Sequence, residues 1–155
     1  MHYDFVKNVT ALCNKYCSAD MNSKLIFEIT ESIVAEGDNI IENINELKKL
    51  GIRFSMDDFG TGYSSLSYIR KLPVDEIKID RHFIGELAKY SNAEEMVDTI
   101  IHIAKIFNLA VVAEGVETEA QQDFLIEHGC KVFQGYLYSK PISKSAFEKF
   151  YLENK

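Results

Sequence analysis

The stretch Ser55-Met56-Asp57-Asp58-Phe59-Gly60-Thr61-Gly62-Tyr63-Ser64-Ser65 sets two adjacent carboxylates at the end of a short apolar run, then adds two glycines and several hydroxyl residues. Neighbouring acids repel, and without a cation one of them is driven toward its protonated form. The glycines allow a tight turn that presents backbone N–H groups. Taken alone, the pair also describes a solvated turn, so its meaning depends on what else reaches the same place.

Other polar residues follow apolar runs in the same way. Glu28 interrupts Leu25–Thr30, Lys78 and Asp80 close Val74–Asp80, Glu114 and Glu117 follow Leu109–Ala113, and Gln134 falls within Lys131–Tyr136. Carboxylates without His or Cys nearby suit hard divalent cations such as Mg²⁺ or Mn²⁺ and disfavour structural zinc. Asp57 and Asp58 can share two such ions, an arrangement that favours in-line displacement at phosphorus. A lysine amid these acids, Lys78, stays protonated and can hold an attacking hydroxide or a phosphate oxygen. His2, His82, His102 and His128 show no metal-ligand spacing, and His82 reads as surface or packing. No Gly-x-Ser-x-Gly elbow, P-loop or dinucleotide fingerprint occurs. These residues favour metal-assisted phosphoester hydrolysis over covalent catalysis.

Elements must bring them together. Phe5, Val9, Leu12 and Tyr16 recur at helical spacing, as do Ile40, Ile41, Ile44, Leu47 and Leu50 ahead of Gly51. Ile52–Met56 is expected as the strand that delivers Asp57 and Asp58, and Ser65–Arg70 as a short helix. Ser91 with Glu94, or Asn92 with Glu95, offers a cap for a helix carrying Met96, Ile100, Ile103, Ala104 and Phe107. Thr118 and Gln121 form a capping box, and Ser143 caps a last helix with Phe147, Phe150 and Tyr151. Five strands alternating with helices predict a parallel sheet with right-handed crossovers, whose C-terminal strand ends share one ligand-binding rim. Five strands then send acids or amides to one mouth.

Composition bounds the rest. The 155 residues are 46% hydrophobic and 26% charged, as in an ordinary soluble domain, and show no linker-like tract, so residues 1–155 read as one domain. The net charge of −7 disfavours duplex nucleic acid as a partner. No apolar run is long enough to span a membrane and Met1-His2-Tyr3-Asp4 does not resemble a signal peptide, which predicts a cytoplasmic protein without membrane contact. Cys13, Cys17 and Cys130 read as small apolar fillers.

Phe27-Glu28-Ile29-Thr30-Glu31, Asp57-Asp58-Phe59-Gly60-Thr61-Gly62-Tyr63-Ser64-Ser65-Leu66, Ile77-Lys78-Ile79-Asp80-Arg81, Val112-Ala113-Glu114-Gly115-Val116-Glu117-Thr118 and Gln134-Gly135-Tyr136 together resemble the EAL domain of bacterial cyclic-di-GMP phosphodiesterases. The resemblance implies a TIM-like barrel that uses two Mg²⁺ or Mn²⁺ ions to linearise cyclic-di-GMP to pGpG. It implies Glu28 and Asp57 as ligands of the first metal, Asp57 with Asp58 as ligands of the second, and Lys78 beside the attacking water. Glu114 resembles the acid described as general base or metal ligand. Glu117 and Gln134 resemble residues on the far side of the substrate site, and Glu31 the acid that braces the Asp57–Ser65 loop.

The chain departs from the family pattern in one respect. No Glu-Ala-Leu tripeptide occurs; in the family that N-terminal portion supplies a glutamate and an asparagine to the first metal. A full barrel of this kind needs about 250 residues, so the chain resembles the C-terminal three-fifths. Its outer strands would be unpaired edges, which predicts a homodimer or association with the missing barrel half. The expected function is that of a cyclic-di-GMP phosphodiesterase with little or no turnover as the isolated chain. The alternatives are a catalytically incomplete cyclic-di-GMP-binding or protein-interaction module, and a structural remnant that folds only by dimerising.

Overall fold

The computed structural model describes residues 3–30, 39–60, 69–87 and 90–153. Their order is α1 (Tyr3–Tyr16), α2 (Ala19–Asn22), β1 (Ile26–Thr30), α3 (Ile40–Lys48), β2 (Arg53–Phe59), β3 (Glu76–Ile79), α4 (Arg81–Glu86), α5 (Ser91–Ile106), β4 (Ala110–Glu114), α6 (Glu119–Glu127), β5 (Val132–Gln134) and α7 (Lys144–Glu153). The five strands form one sheet in sequence order, and every neighbouring pair is parallel. Sequential order is what repeated right-handed β/α units produce, as the alternating pattern predicts.

The pleat sorts the strand residues into two layers. Phe54, Met56, Ile77, Ile79 and Ala113 face the helices and meet Ile44, Leu47, Ile100, Ala104 and Leu125 in the core. Phe27 sets its ring edge-on against Phe54, with centroids 5.8 Å apart. The opposite face carries Glu28, Ser55, Asp57, Glu76, Lys78, Glu114 and Gln134, aligned by the registers Glu28↔Ser55, Ser55↔Glu76 and Glu114↔Gln134. β3 is central and all four of its residues are buried, including Glu76 and Lys78.

Several expectations need correction. β2 runs on through Phe59 instead of ending at Met56, so Asp57 and Asp58 lie within the strand. The cause is a bulge: Met56 pairs with Ile77 but Phe59 with Ile79, leaving one extra residue on β2. Asp58 takes up the strain at φ +55°, in the left-handed region. On α1, Cys13 is buried and Val6 and Val9 pack on the core, whereas Phe5, Leu12 and Tyr16 stay exposed. The helix lies at the end of the sheet and rests mainly on α3, so only a narrow strip of it finds cover. On α5 the N-cap position falls on Tyr90, ahead of both expected cap residues, and carries no side-chain cap bond. Val97 and not Met96 lies on its buried face. Helix α4 was not apparent as a separate element. Of the expected 65–70 helix, residues 65–68 lie outside the described residues, as does Glu31.

Other expectations match. Gly51 sits at φ +91° where α3 stops. Ser143 Oγ accepts from the Ala146 N–H at the start of α7. Cys13 and Cys130 are free and buried, and burial pushes both thiols up, away from the reactive thiolate. His82 is exposed.

The base of the sheet is tied by Asp75. Its carboxylate accepts from the Phe54 N–H at 2.8 Å and from Lys48 Nζ at 2.6 Å, while its own N–H and C=O bond Phe54 and Ala110. One residue thus fastens β2, β4 and α3 ahead of β3. Asp75→Ala leaves the Phe54 N–H and the Lys48 ammonium without that partner and is expected to cost about 2 kcal/mol, read as a lowered urea midpoint.

Candidate active site

Lys78 stands at the centre of the mouth. β3 delivers it between β2 and β4, where its side chain is only 6% exposed. Its Nζ lies 2.7 Å from Glu28 Oε1 on β1, 3.2 Å from Asp57 Oδ1 on β2 and 2.5 Å from Glu114 Oε1 on β4. Burial opposes the ammonium charge, but the hydrogen bonds to Glu114 and Glu28 overcome it, and the pKa rises above the ordinary lysine value. Lys78 is therefore a fixed cation at neutral pH. Four strands of the sheet contribute to this one cluster.

Asp58 lies beside it. The Asp58 N–H donates to Asp57 Oδ1 at 3.1 Å. Partial burial first, then the charges of Asp57 and Asp80, push its carboxyl above the usual range, and Lys78 offsets only part of this. Such crowding marks a mouth short of positive charge. Asp80 also caps α4, accepting from the His82 N–H at 2.8 Å.

Beyond the cluster opens a groove of ≈ 940 Å³, bordered by Asp58, Asp80, Glu114, Glu117 and Gln134. Glu117 and Gln134 do not touch Lys78; they line this groove. Its far wall was not legible from the sequence and comes from the segment after β5. There Lys140 Nζ stands 5.6 Å from the centroid of the exposed Tyr136 ring, with Phe147 from α7 close by. Aromatic and basic residues soon after Gln134 were the only signal available. Gly135 lets β5 hug β4: Val116 N–H donates to Gln134 C=O, and Leu137 N–H to Val116 C=O.

The Glu117 loop is held by the predicted capping box. Gln121 Oε1 accepts from the Glu117 and Thr118 N–H groups at 2.8 and 3.0 Å, Thr118 Oγ1 accepts from Gln121 N–H, and Gln121 Nε2 donates to Ile84 C=O at 2.9 Å. Gln121 thereby joins the loop to α4. Gln121→Ala is expected to cost 1–2 kcal/mol, about what losing a cap costs, with increased hydrogen exchange at Glu117 and Thr118 as the check.

The donor set is all oxygen and strongly acidic, which fits hard divalent cations. No group of three or more His, Cys, Asp or Glu side chains among the described residues closes around one point as a ligand set. The Lys78 ammonium fills the place between Glu28, Asp57 and Glu114. No helix among the described residues is long and apolar enough to cross a membrane.

The family model of the EAL domain matches residues 1–141. The chain belongs to the EAL domain family. It is 48% identical over 121 residues to the bifunctional diguanylate cyclase/cyclic di-GMP phosphodiesterase MucR of Pseudomonas aeruginosa, covering 77% of this chain and 18% of that protein. The solved PaMucR phosphodiesterase complex with c-di-GMP is 42% identical, with a TM-score of 0.85 over 94% of this chain and 59% of that one. The EAL domain of Mycobacterium smegmatis DcpA superposes with a TM-score of 0.91 at 37% identity, covering 99% and 68%. The manganese and cyclic-di-GMP complex of Klebsiella pneumoniae BlrP1 is 30% identical, with a TM-score of 0.78 over 90% and 36%. The chain thus spans less than a fifth of the MucR sequence. EAL domains are TIM-like barrels, and the described residues build five parallel strands of one.

Proposed function

We propose that residues 1–155 form a single cytoplasmic domain that carries the cation-binding and water-activating wall of a cyclic-di-GMP phosphodiesterase, with little or no turnover as the isolated chain. The observation that carries this reading is the Lys78 cluster, in which Glu28, Asp57 and Glu114 from three strands meet one buried ammonium. Glu28, Asp57 and Asp58 would hold divalent cations, Mg²⁺ or Mn²⁺; when bound, these supply positive charge to the phosphorus undergoing in-line displacement. Lys78 steadies the attacking water or a diester oxygen through Nζ. Glu114 accepts, at a carboxylate oxygen, the proton that water gives up. Glu117 and Gln134 orient the far part of the ligand, and the wall of Tyr136, Lys140 and Phe147 suits a flat base carried on an anionic backbone. The manganese and cyclic-di-GMP complex of BlrP1 supports the choice of ligand and metal.

Low turnover follows from the missing Glu-Ala-Leu segment, because metal catalysis depends on a fully fixed coordination shell. An incomplete domain of this kind would pair, with a second copy or with the remaining barrel units. The second reading is a cyclic-di-GMP-binding or protein-interaction module, favoured by the openness of the groove. Purified chain incubated with cyclic-di-GMP and Mn²⁺ is expected to yield no pGpG above the Glu114→Ala control. Turnover at the level of a complete EAL domain, lost in Glu114→Ala, would overturn the low-activity part and establish a complete site.

A further inference from the structure

We infer that Arg81 and Lys140 form a phosphate clamp that holds the second phosphodiester of the ligand, the one that is not cleaved, and so favour ligands with two phosphates. This rests on the phosphodiesterase reading above and adds how the uncleaved half is held. Cyclic-di-GMP carries two diester anions. The acids around Lys78 take only one of them, through cations. The second would lie along the groove, whose border carries the carboxylates of Asp58, Asp80, Glu114 and Glu117. An anion on such a surface needs positive charge of its own, because repulsion from the carboxylates otherwise goes uncompensated. Among the described residues on this border, that charge comes from Arg81, Lys140 and Lys144.

The three cations are not equivalent. Lys144 Nζ lies 3.8 Å from Glu148 Oε1, one turn further along α7. The side-chain N–H groups of Arg81 and Lys140 make neither an ion pair nor a hydrogen bond among the described residues, although Asp80 and Glu117 border the same groove. Each is nonetheless anchored. A Cβ added to Gly115 would come within 2.6 Å of Arg81 Cβ, so the Arg81 stem rests on the loop that joins Glu114 to Glu117. Lys140 Nζ stands over the Tyr136 ring, 5.6 Å from its centroid, a contact that orders the ammonium without neutralising it. A guanidinium with free N–H groups suits bidentate donation to a phosphate, and an ammonium adds a point charge. Tyr136 beside Lys140 offers a face on which the base next to that phosphate can stack. A ligand with one phosphate, such as cyclic GMP, reaches the metal-binding acids but leaves these two cations unused.

Calorimetric titration of cyclic-di-GMP in Mn²⁺ into the 155-residue chain, Arg81→Gln and Lys140→Gln tests this, with Mn²⁺ alone titrated into each as a second readout. Each variant is expected to bind cyclic-di-GMP about tenfold more weakly, the size of one charge-assisted hydrogen bond, with Arg81→Lys in between. Mn²⁺ affinity should be unchanged or higher, because removing a positive charge near the acids does not weaken a cation held there. The wild-type chain should bind cyclic GMP at least about tenfold more weakly than cyclic-di-GMP. Wild-type affinity in either variant, an equal loss of affinity for Mn²⁺, or equal affinity for the two cyclic nucleotides overturns the clamp. If Asp57→Asn abolishes cyclic-di-GMP binding while Arg81→Gln and Lys140→Gln leave it intact, the clamp falls and the phosphodiesterase reading stands. A wild-type chain that binds no cyclic-di-GMP overturns both.

Discussion

Lys78→Met is expected to lower the stability of the metal-free chain by about 3 kcal/mol, the cost of leaving buried charges without their partner. The substitution keeps the volume of the stem and removes the charge that Glu28, Asp57 and Glu114 share. Glu114 and Asp57 are mostly buried, so their repulsion is poorly screened, whereas Glu28 is 53% exposed and turns to water. Because the folded-state pKa of Lys78 is raised, its contribution is fully present below the ordinary lysine value and fades only as pH climbs through the raised one. The loss should therefore be the same across neutral pH. Mn²⁺ should then stabilise Lys78→Met more than the wild type, since the carboxylates no longer have an internal cation competing for them. Urea denaturation in chelator and in Mn²⁺ measures both effects; a variant as stable as the parent in chelator would mean that the cluster is solvated and indifferent.

Gly135→Ala should be still more damaging. A Cβ there would overlap the backbone N, C and O atoms of Val116, which has no flexible end to swing aside. The Val116 N–H bond to Gln134 C=O and the Leu137 N–H bond to Val116 C=O both depend on this approach. Overpacking against backbone is expected to cost about 3 kcal/mol or more, and the loss should concentrate at β5 and the groove wall. Hydrogen exchange would show Val116 and Leu137 deprotected first. An unchanged urea midpoint would mean that β5 does not lie against Val116 in solution.

How much of this was legible in the sequence depended on the kind of signal. The five strands, their parallel order and the capping box of Thr118 and Gln121 could be read because each rests on local chemistry: apolar runs, glycine stops and a hydroxyl three residues before an amide. The convergence of Glu28, Asp57, Lys78 and Glu114 could be read because parallel topology places all strand ends on one rim. The bulge at Asp57–Asp58 could not, since an extra residue on one strand is defined only by its partner, here Ile77 to Ile79. The exposed side of α1 was misjudged for a related reason. Helical spacing gives a stripe, but how much of that stripe is covered depends on neighbours, and α1 has few. Asp75 escaped notice because its bonds reach Phe54, Lys48 and Ala110, all distant along the chain.

As proposed, the Lys78 mouth is a cation-dependent cyclic-di-GMP site. Titration calorimetry of cyclic-di-GMP into the 155-residue chain, in Mn²⁺ and again in chelator, tests it most directly, with Asp57→Asn as the control. Binding that requires Mn²⁺ and disappears in Asp57→Asn is the predicted result. Binding of equal strength in chelator, or none under either condition, would contradict it.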